Sequence, residues 1–226
     1  MRTIGVLGGM GPEATIALMA RVVAAVDARD DADHIPLIVD QNTQVPSRIK
    51  ALIEGTGDDP GPVLGDMAAR LEAAGADALV MACNTAHHYA DAITSRVSVP
   101  FLSIVDLSVQ AAVARADGPI GMLASPAVAQ VGLYDGVVGA AGREVLHSDG
   151  DAALAVIKAV KAEGPTADAA RALEAIALGL AEDGAATQIV ACTEYSLLLG
   201  QMDVQGVTLI DAMDVLVAEM VAFAKG

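Results

Sequence analysis

The sequence predicts an α/β protein built from two similar halves, each a mainly parallel sheet flanked by helices. Three observations carry this. Short β-type apolar runs alternate with helical-period segments along the whole chain, as strand–helix–strand units require. The run TIGVLGG near the start is echoed by PIGMLAS, and ADALVMAC by ATQIVAC. The chain has only two cysteines, and each closes one of the latter runs: Cys83 and Cys192.

The elements read in order. TIGVLG is a strand, and GPEATIALMARVVAAVDARD a helix with Pro12 in its first turn. IPLIVD is a strand, and NTQVPSRIKALIEGTGDDPG a loop holding a short helix. VLGDMAARLEAAG has apolar residues at helical spacing and leads into the strand ADALVMAC. HHYADAITSR reads as helix, VPFLSI as strand and DLSVQAAVARAD as helix. The pattern then restarts with PIGMLAS, a short helix and turn in VGLYDGVVGAAG, and the strand REVLHS. Two helices follow, AALAVIKAVKAEG and TADAARALEAIALGLAEDG, then the strand ATQIVAC. VTLIDAMDVLVAEMVAFAKG closes with a strand and a helix.

Gly5 to Cys83 is 78 positions and Gly121 to Cys192 is 71, so the halves are close in size. The expected division is residues 1–98 plus 210–226 for the first domain and 99–209 for the second. The last helix crosses back to cover the first half.

Composition narrows the function. Hydrophobic residues make up 54% of 226, but aromatics only 2%, so the core is built from Ala, Val, Leu, Ile and Met. Thirteen Lys and Arg against 29 Asp and Glu give a formal charge of −16. So few cations argue against nucleic acid and anionic membranes as partners. The longest apolar runs are too short to span a bilayer. The opening MRTIGVLGGMGPEA runs straight into a strand with no signal-type apolar region, which points to a cytoplasmic protein. A Cys83–Cys192 disulfide fits that compartment poorly. Cys83 and His87 have i,i+4 spacing, but no second Cys/His pair completes a metal set.

Each cysteine ends a strand and precedes a helical-looking segment. Backbone N–H groups and the positive end of a helix favour thiolate there. One such thiol suggests a nucleophile or base. Two, from matching places in a duplicated fold, suggest an acid and a base across a cleft.

The other motifs leave alternatives open. Gly9-Met10-Gly11-Pro12-Glu13-Ala14 fits G-x-G-x-x-A, but Pro12 removes an N–H and Glu13 puts charge where pyrophosphate would sit. The same turn reads as a cradle for a smaller anion, or as plain strand-to-helix geometry. Arg48 is a candidate carboxylate clamp or a surface ion-pair partner. Lys158 and Lys161 read as a solvated helix face, or Lys161 as reaching toward the cleft. His87 either assists Cys83 or caps a helix. Glu194 raises the Cys192 pKa if it lies close, and orders the turn if it folds back onto backbone amides.

GVLGGMGPEAT, NTQVPSR, ACNTAH and ACTEYSLLL, in this order, resemble the aspartate/glutamate racemase family, most closely its aspartate racemase branch. The resemblance covers essentially the whole chain. It implies two pseudo-twofold-related α/β domains with the active site in the cleft between them. It also implies a cofactor-free, pyridoxal-phosphate-independent amino-acid racemase acting on aspartate, glutamate or another amino acid, and a homodimer. Cys83 and Cys192 take the places of the catalytic thiols. Arg48 and Lys161 would bind substrate carboxylates. Gly9, Met10, Asn84, Thr85, Ser125 and Thr193 would line the pocket. A cysteine-dependent maleate cis-trans isomerase of the same superfamily is the alternative. A ligand-binding module with both cysteines in the core is a third reading. One departure stands out: ASPAVAQVGLY replaces a family pattern like ATxGTxxSGLY, so Ser125 keeps a hydroxyl while Val128 and Val131 lose theirs.

Overall fold

β1 (Ile4–Gly8) is buried along its whole length, as a central parallel strand covered on both faces must be. The computed structural model describes residues 1–115 and 117–226. β1 is flanked by β2 (Leu37–Gln41) and β3 (Ala78–Met81), all parallel, in the order β2-β1-β3. Gly5 is required by contact: a Cβ there would lie 2.7 Å from Leu79 Cδ2 and 2.8 Å from Ala76 Cβ.

Between β1 and β2 runs α1 (Pro12–Ala24), with Pro12 opening its first turn. It buries Thr15, Leu18 and Val22, an i, i+3, i+7 stripe. The sequence carried this helix to Asp30, but it stops six residues earlier. Asp27 and Asp30 would place negative charge at the negative helix end, and Asp30 instead caps a 3-10 turn over Asp31–Asp33. A short wide turn at Lys50–Glu54 precedes α2 (Gly61–Ala73), which packs Leu64, Met67, Ala68 and Leu71 into the first core.

After β3 the predicted helix divides into a 3-10 turn at Thr85–Tyr89 and α3 (Ala90–Thr94). The expected strand VPFLSI shrinks to one bridge, Phe101 beside Leu79. Leu79 N–H donates to Pro100 C=O and Leu102 N–H to Leu79 C=O, after which the chain turns into α4 (Ile104–Val113). Pro100 has no N–H to extend the ladder. The predicted helix reached Asp117; Ala116 within it lies outside the described residues.

The second sheet holds β4 (Ile120–Ala124), β5 (Val145–His147), β6 (Thr187–Ala191) and β7 (Thr208–Asp211), parallel, in the order β5-β4-β6-β7. The expected single short helix between β4 and β5 is two: α5 (Pro126–Gln130) and α6 (Asp135–Ala140). Extended Ser125 and Pro126 start α5 earlier than apolar spacing suggests. α7 (Gly150–Glu163) and α8 (Ala167–Glu182) join β5 to β6. Their N-caps are Asp149, which accepts from Ala152 N–H, and Thr166, which accepts from Ala169 N–H. α9 (Thr193–Ser196) and α10 (Ala212–Lys225) complete the chain.

The chain divides into two compact units, Met1–Ile104 with Met213–Gly226, and Val105–Ala212. The Phe101 bridge keeps residues 99–104 with the first, and pairing to β6 keeps β7 with the second. α10 returns to the first unit: Arg2 N–H donates to Ala224 C=O, the Arg2 guanidinium lies 4.7 Å over the Phe223 ring, and Arg21 pairs with Asp214. The two sheets repeat one order, with β1, β2 and β3 answering to β4, β5 and β6, and Phe101 answering to β7.

Candidate active site

Every candidate residue lies beyond the carboxyl end of a parallel strand, where ligands bind in such sheets. In the first unit Gly9 and Met10 follow β1, Arg48 follows β2, and Cys83, Asn84 and Thr85 follow β3. In the second, Ser125 follows β4, Lys161 rides on α7 after β5, and Cys192 and Thr193 follow β6. The two thiols therefore leave topologically equivalent strands.

Gly9 has φ of +91°, and a Cβ there would meet the Asn42 carbonyl at 2.4 Å. Its N–H donates to Thr15 Oγ1 at 2.9 Å, and the Thr15 hydroxyl donates to Gly11 C=O at 3.2 Å. The Gly9 amide, an anion donor in the sequence reading, is committed to this buried threonine. Met10 is buried in the first core. Arg48 is half-buried, and its Nη1 donates to the carbonyls of Val45 and Pro46 at 3.2 and 2.8 Å. That clip shapes the loop presenting the guanidinium.

Cys83 is half-buried against the first core, with half-buried Asn84 and Thr85 beside it. His87 is buried. Ile104 N–H donates to its Nε2 at 3.2 Å, so the neutral ring carries its proton on Nδ1, which donates to Cys83 C=O at 2.9 Å. His87 thus ties the backbone of Cys83 to the start of α4.

Cys192 departs from the thiolate expected of it. It is buried, extended, and sits at the N-cap of α9, a helix of only four residues. So short a helix carries little dipole. Its thiol donates to Glu194 Oε2 at 3.1 Å, and Glu194 Oε1 lies 3.4 Å from Lys161 Nζ. Burial pushes the thiol pKa well up, and the Glu194 charge pushes it further. The N–H groups of Glu194 and Tyr195 act the other way and are outweighed. Of the two readings of Glu194, the close one holds. Lys161 is exposed and has Glu194 as its ion-pair partner.

Around this turn Tyr195 donates from its hydroxyl to Ala153 C=O at 2.8 Å, and Ser196 Oγ donates to buried Asp211 at 2.8 Å. These bonds brace α9 against α7 and the end of β7. The Ser196–Asp211 pair escaped sequence reading, because nothing local links residues 15 positions apart. Ala124 pairs with Ala191 across β4 and β6, so half-buried Ser125 is the strand-end neighbour of Cys192. Ser125 also lines a cavity of about 330 Å³ together with Met122, Gln130, His147 and Ser148. His147 Nε2 lies 2.9 Å from Asp135. Its place at the end of the predicted strand REVLHS was the one available signal for it. Val128 is buried and Val131 half-buried.

Among the described residues no group of three His, Cys, Asp or Glu is arranged to hold a metal ion. No helix among them is long and apolar enough to cross a membrane.

Two parallel α/β sheets of one order, each with a cysteine after the equivalent strand, define the class to which known proteins can be compared. The chain belongs to the Asp/Glu/Hydantoin racemase family, whose model matches residues 7–220. It is 29% identical over 150 residues to the broad specificity amino-acid racemase RacX of Bacillus subtilis, covering 65% of this chain and 64% of that protein. It is 30% identical over 139 residues to the glutamate racemase of Deinococcus radiodurans, covering 59% of this chain and 47% of the other. Each match thus spans less than two thirds of the relative. Picrophilus torridus aspartate racemase superposes with a TM-score of 0.87 at 25% identity, over 100% of this chain and 95% of that one. An aspartate racemase homologue from Pyrococcus horikoshii gives 0.80 at 20% identity over the full length of both, which is a likeness of fold.

Proposed function

We propose that this protein is a pyridoxal-phosphate-independent amino-acid racemase, acting on aspartate first, with glutamate or another amino acid as further substrates. The observation that carries the reading is the placement of Cys83 and Cys192 beyond equivalent strands of two sheets of the same order. Racemisation needs a proton removed from one face of Cα and another delivered to the opposite face. Two like residues suit this, since each must serve as acid in one direction and base in the other. One thiolate takes the Cα proton, forming S–H as C–H breaks, and the other thiol gives its proton to the opposite face. The next turnover on the product enantiomer reverses the roles.

The Cα proton is far less acidic than a thiol, so charge developing on the α-carboxylate needs preorganised donors. Arg48, Lys161 and the groups of Asn84, Thr85, Ser125 and Thr193 are assigned that work. Gly9 and Met10 supply the wall that β1 contributes. The buried valine at 128 removes one hydroxyl from the second unit, which favours tolerance of side chains other than a carboxylate. We assign the protein to the cytoplasm, as a homodimer with a small-molecule substrate.

Proton NMR of the purified protein with L-aspartate and L-glutamate in deuterated water tests this. Loss of the α-proton signal with formation of the D-enantiomer, abolished in Cys83→Ala and Cys192→Ala, is the expected result. Turnover of maleate with no exchange on any amino acid would replace the reading with the isomerase.

A further inference from the structure

Glu194 is a charged group in hydrogen-bond contact with the Cys192 thiol. Its carboxylate bridges two partners, accepting from Cys192 Sγ at 3.1 Å through Oε2 and lying 3.4 Å from Lys161 Nζ through Oε1. The groups facing Cys192 come from three sides. Its own turn offers the Glu194 charge, two backbone N–H groups, and Tyr195, whose hydroxyl is held by Ala153 C=O. α7 offers Lys161, which reaches Glu194 and not the thiol itself, and the residue after β4 is the uncharged Ser125.

We infer that Glu194 is a positioning residue that keeps the proton on Cys192 in the resting protein, and that Lys161 regulates the strength of this hold. Ionising Cys192 would leave two anions 3.1 Å apart in a buried site. Lys161 opposes that repulsion only weakly, because its side chain is 63% exposed and its charge is screened by water. A substrate carboxylate that drew Lys161 away would leave Glu194 without its counter-charge and tighten the hold.

This rests on the two-thiol reading and deepens it. In the resting protein Cys192 is then the acid. When Cys192 gives its proton, S–H breaks, C–H forms on the substrate, and the sulfur keeps the electron pair. The thiolate left beside Glu194 is a stronger base than an isolated one, which suits it to remove a Cα proton in the return direction.

The test reads the thiol without substrate. In Cys83→Ser protein Cys192 is the sole cysteine, and its thiolate absorbance and iodoacetamide alkylation are followed against pH. Glu194→Gln, which keeps the side chain's shape, lowers the midpoint by about one pH unit or more, a tenfold gain in thiolate at a given pH. Lys161→Met raises it. Midpoints equal to the parent, or a fall in Lys161→Met, would overturn the inference. Should Glu194→Gln not fold, Lys161→Met decides alone, since that side chain is largely exposed. In the two-cysteine protein, Glu194→Gln changes kcat for the two enantiomers unequally. Shifted midpoints in a protein that racemises nothing would sink the proposed reaction while leaving the hold on Cys192 intact.

Discussion

His87 Nδ1 lies 2.9 Å from the carbonyl oxygen of Cys83, while its Nε2 accepts the Ile104 N–H. The ring therefore acts as a strut between the end of one strand and the start of α4. His87→Ala removes both of these bonds, one of them buried, at about 1–3 kcal/mol. Urea unfolding should show that loss. The kcat for Cα exchange should fall as well, because the backbone carrying Cys83 loses its anchor.

Arg48 makes two bonds to carbonyls of its own loop and is assigned a substrate carboxylate as well. A planar guanidinium can do both; a lysine ammonium in its place lacks the fork. Arg48→Lys should raise KM about tenfold, the order of one charge-assisted hydrogen bond, with a smaller change in kcat. Steady-state racemisation of aspartate measures the split.

Gln188 is fully buried in β6, and its Nε2 donates to the carbonyls of Ala177 and Ala185 at 2.6 and 3.0 Å. It bridges α8 and the loop leading into β6, against the face where Gly121 leaves room. Gln188→Ala removes both bonds and leaves a cavity in the core, and should cost about 1–3 kcal/mol. Thermal unfolding would show it, with little change in KM.

Burial raises the pKa of Cys192, Tyr134 and Tyr195. The folded protein holds these protons to higher pH than the unfolded chain does. Their contribution to stability is complete below the unfolded values, about 8.5 for Cys and 10 for Tyr, and is lost as pH rises through the folded ones. Urea midpoints should therefore decline above about pH 8.5. Cys192→Ser should remove the earlier part of the decline and leave the tyrosine part.

The alternation of strands and helices, the repeat of TIGVLGG in PIGMLAS and the matched cysteines were all legible in the linear chain. They depend on local periodicity and on residue types within a few positions of each other. Element ends were less legible, because they are set by partners elsewhere. Phe101 pairs only where Leu79 offers an edge, and α1 stops where Asp30 finds a better use as a cap. The placement of Arg48 and Lys161 after β2 and β5, and of Gly9 and Ser125 after β1 and β4, strands that answer to one another, required knowing the sheet order.

The sequence by itself determined the class of fold, the family and the pair of thiols. Tertiary structure decided the surroundings of those thiols and the work of their neighbours. Cys192 reads as a thiolate from its place before a helix, yet burial and Glu194 raise its pKa. His87 reads as a possible helper for Cys83, yet its ring joins two backbone groups. A pKa depends on desolvation and on charges a few ångströms away, and residues far apart in the chain supply both.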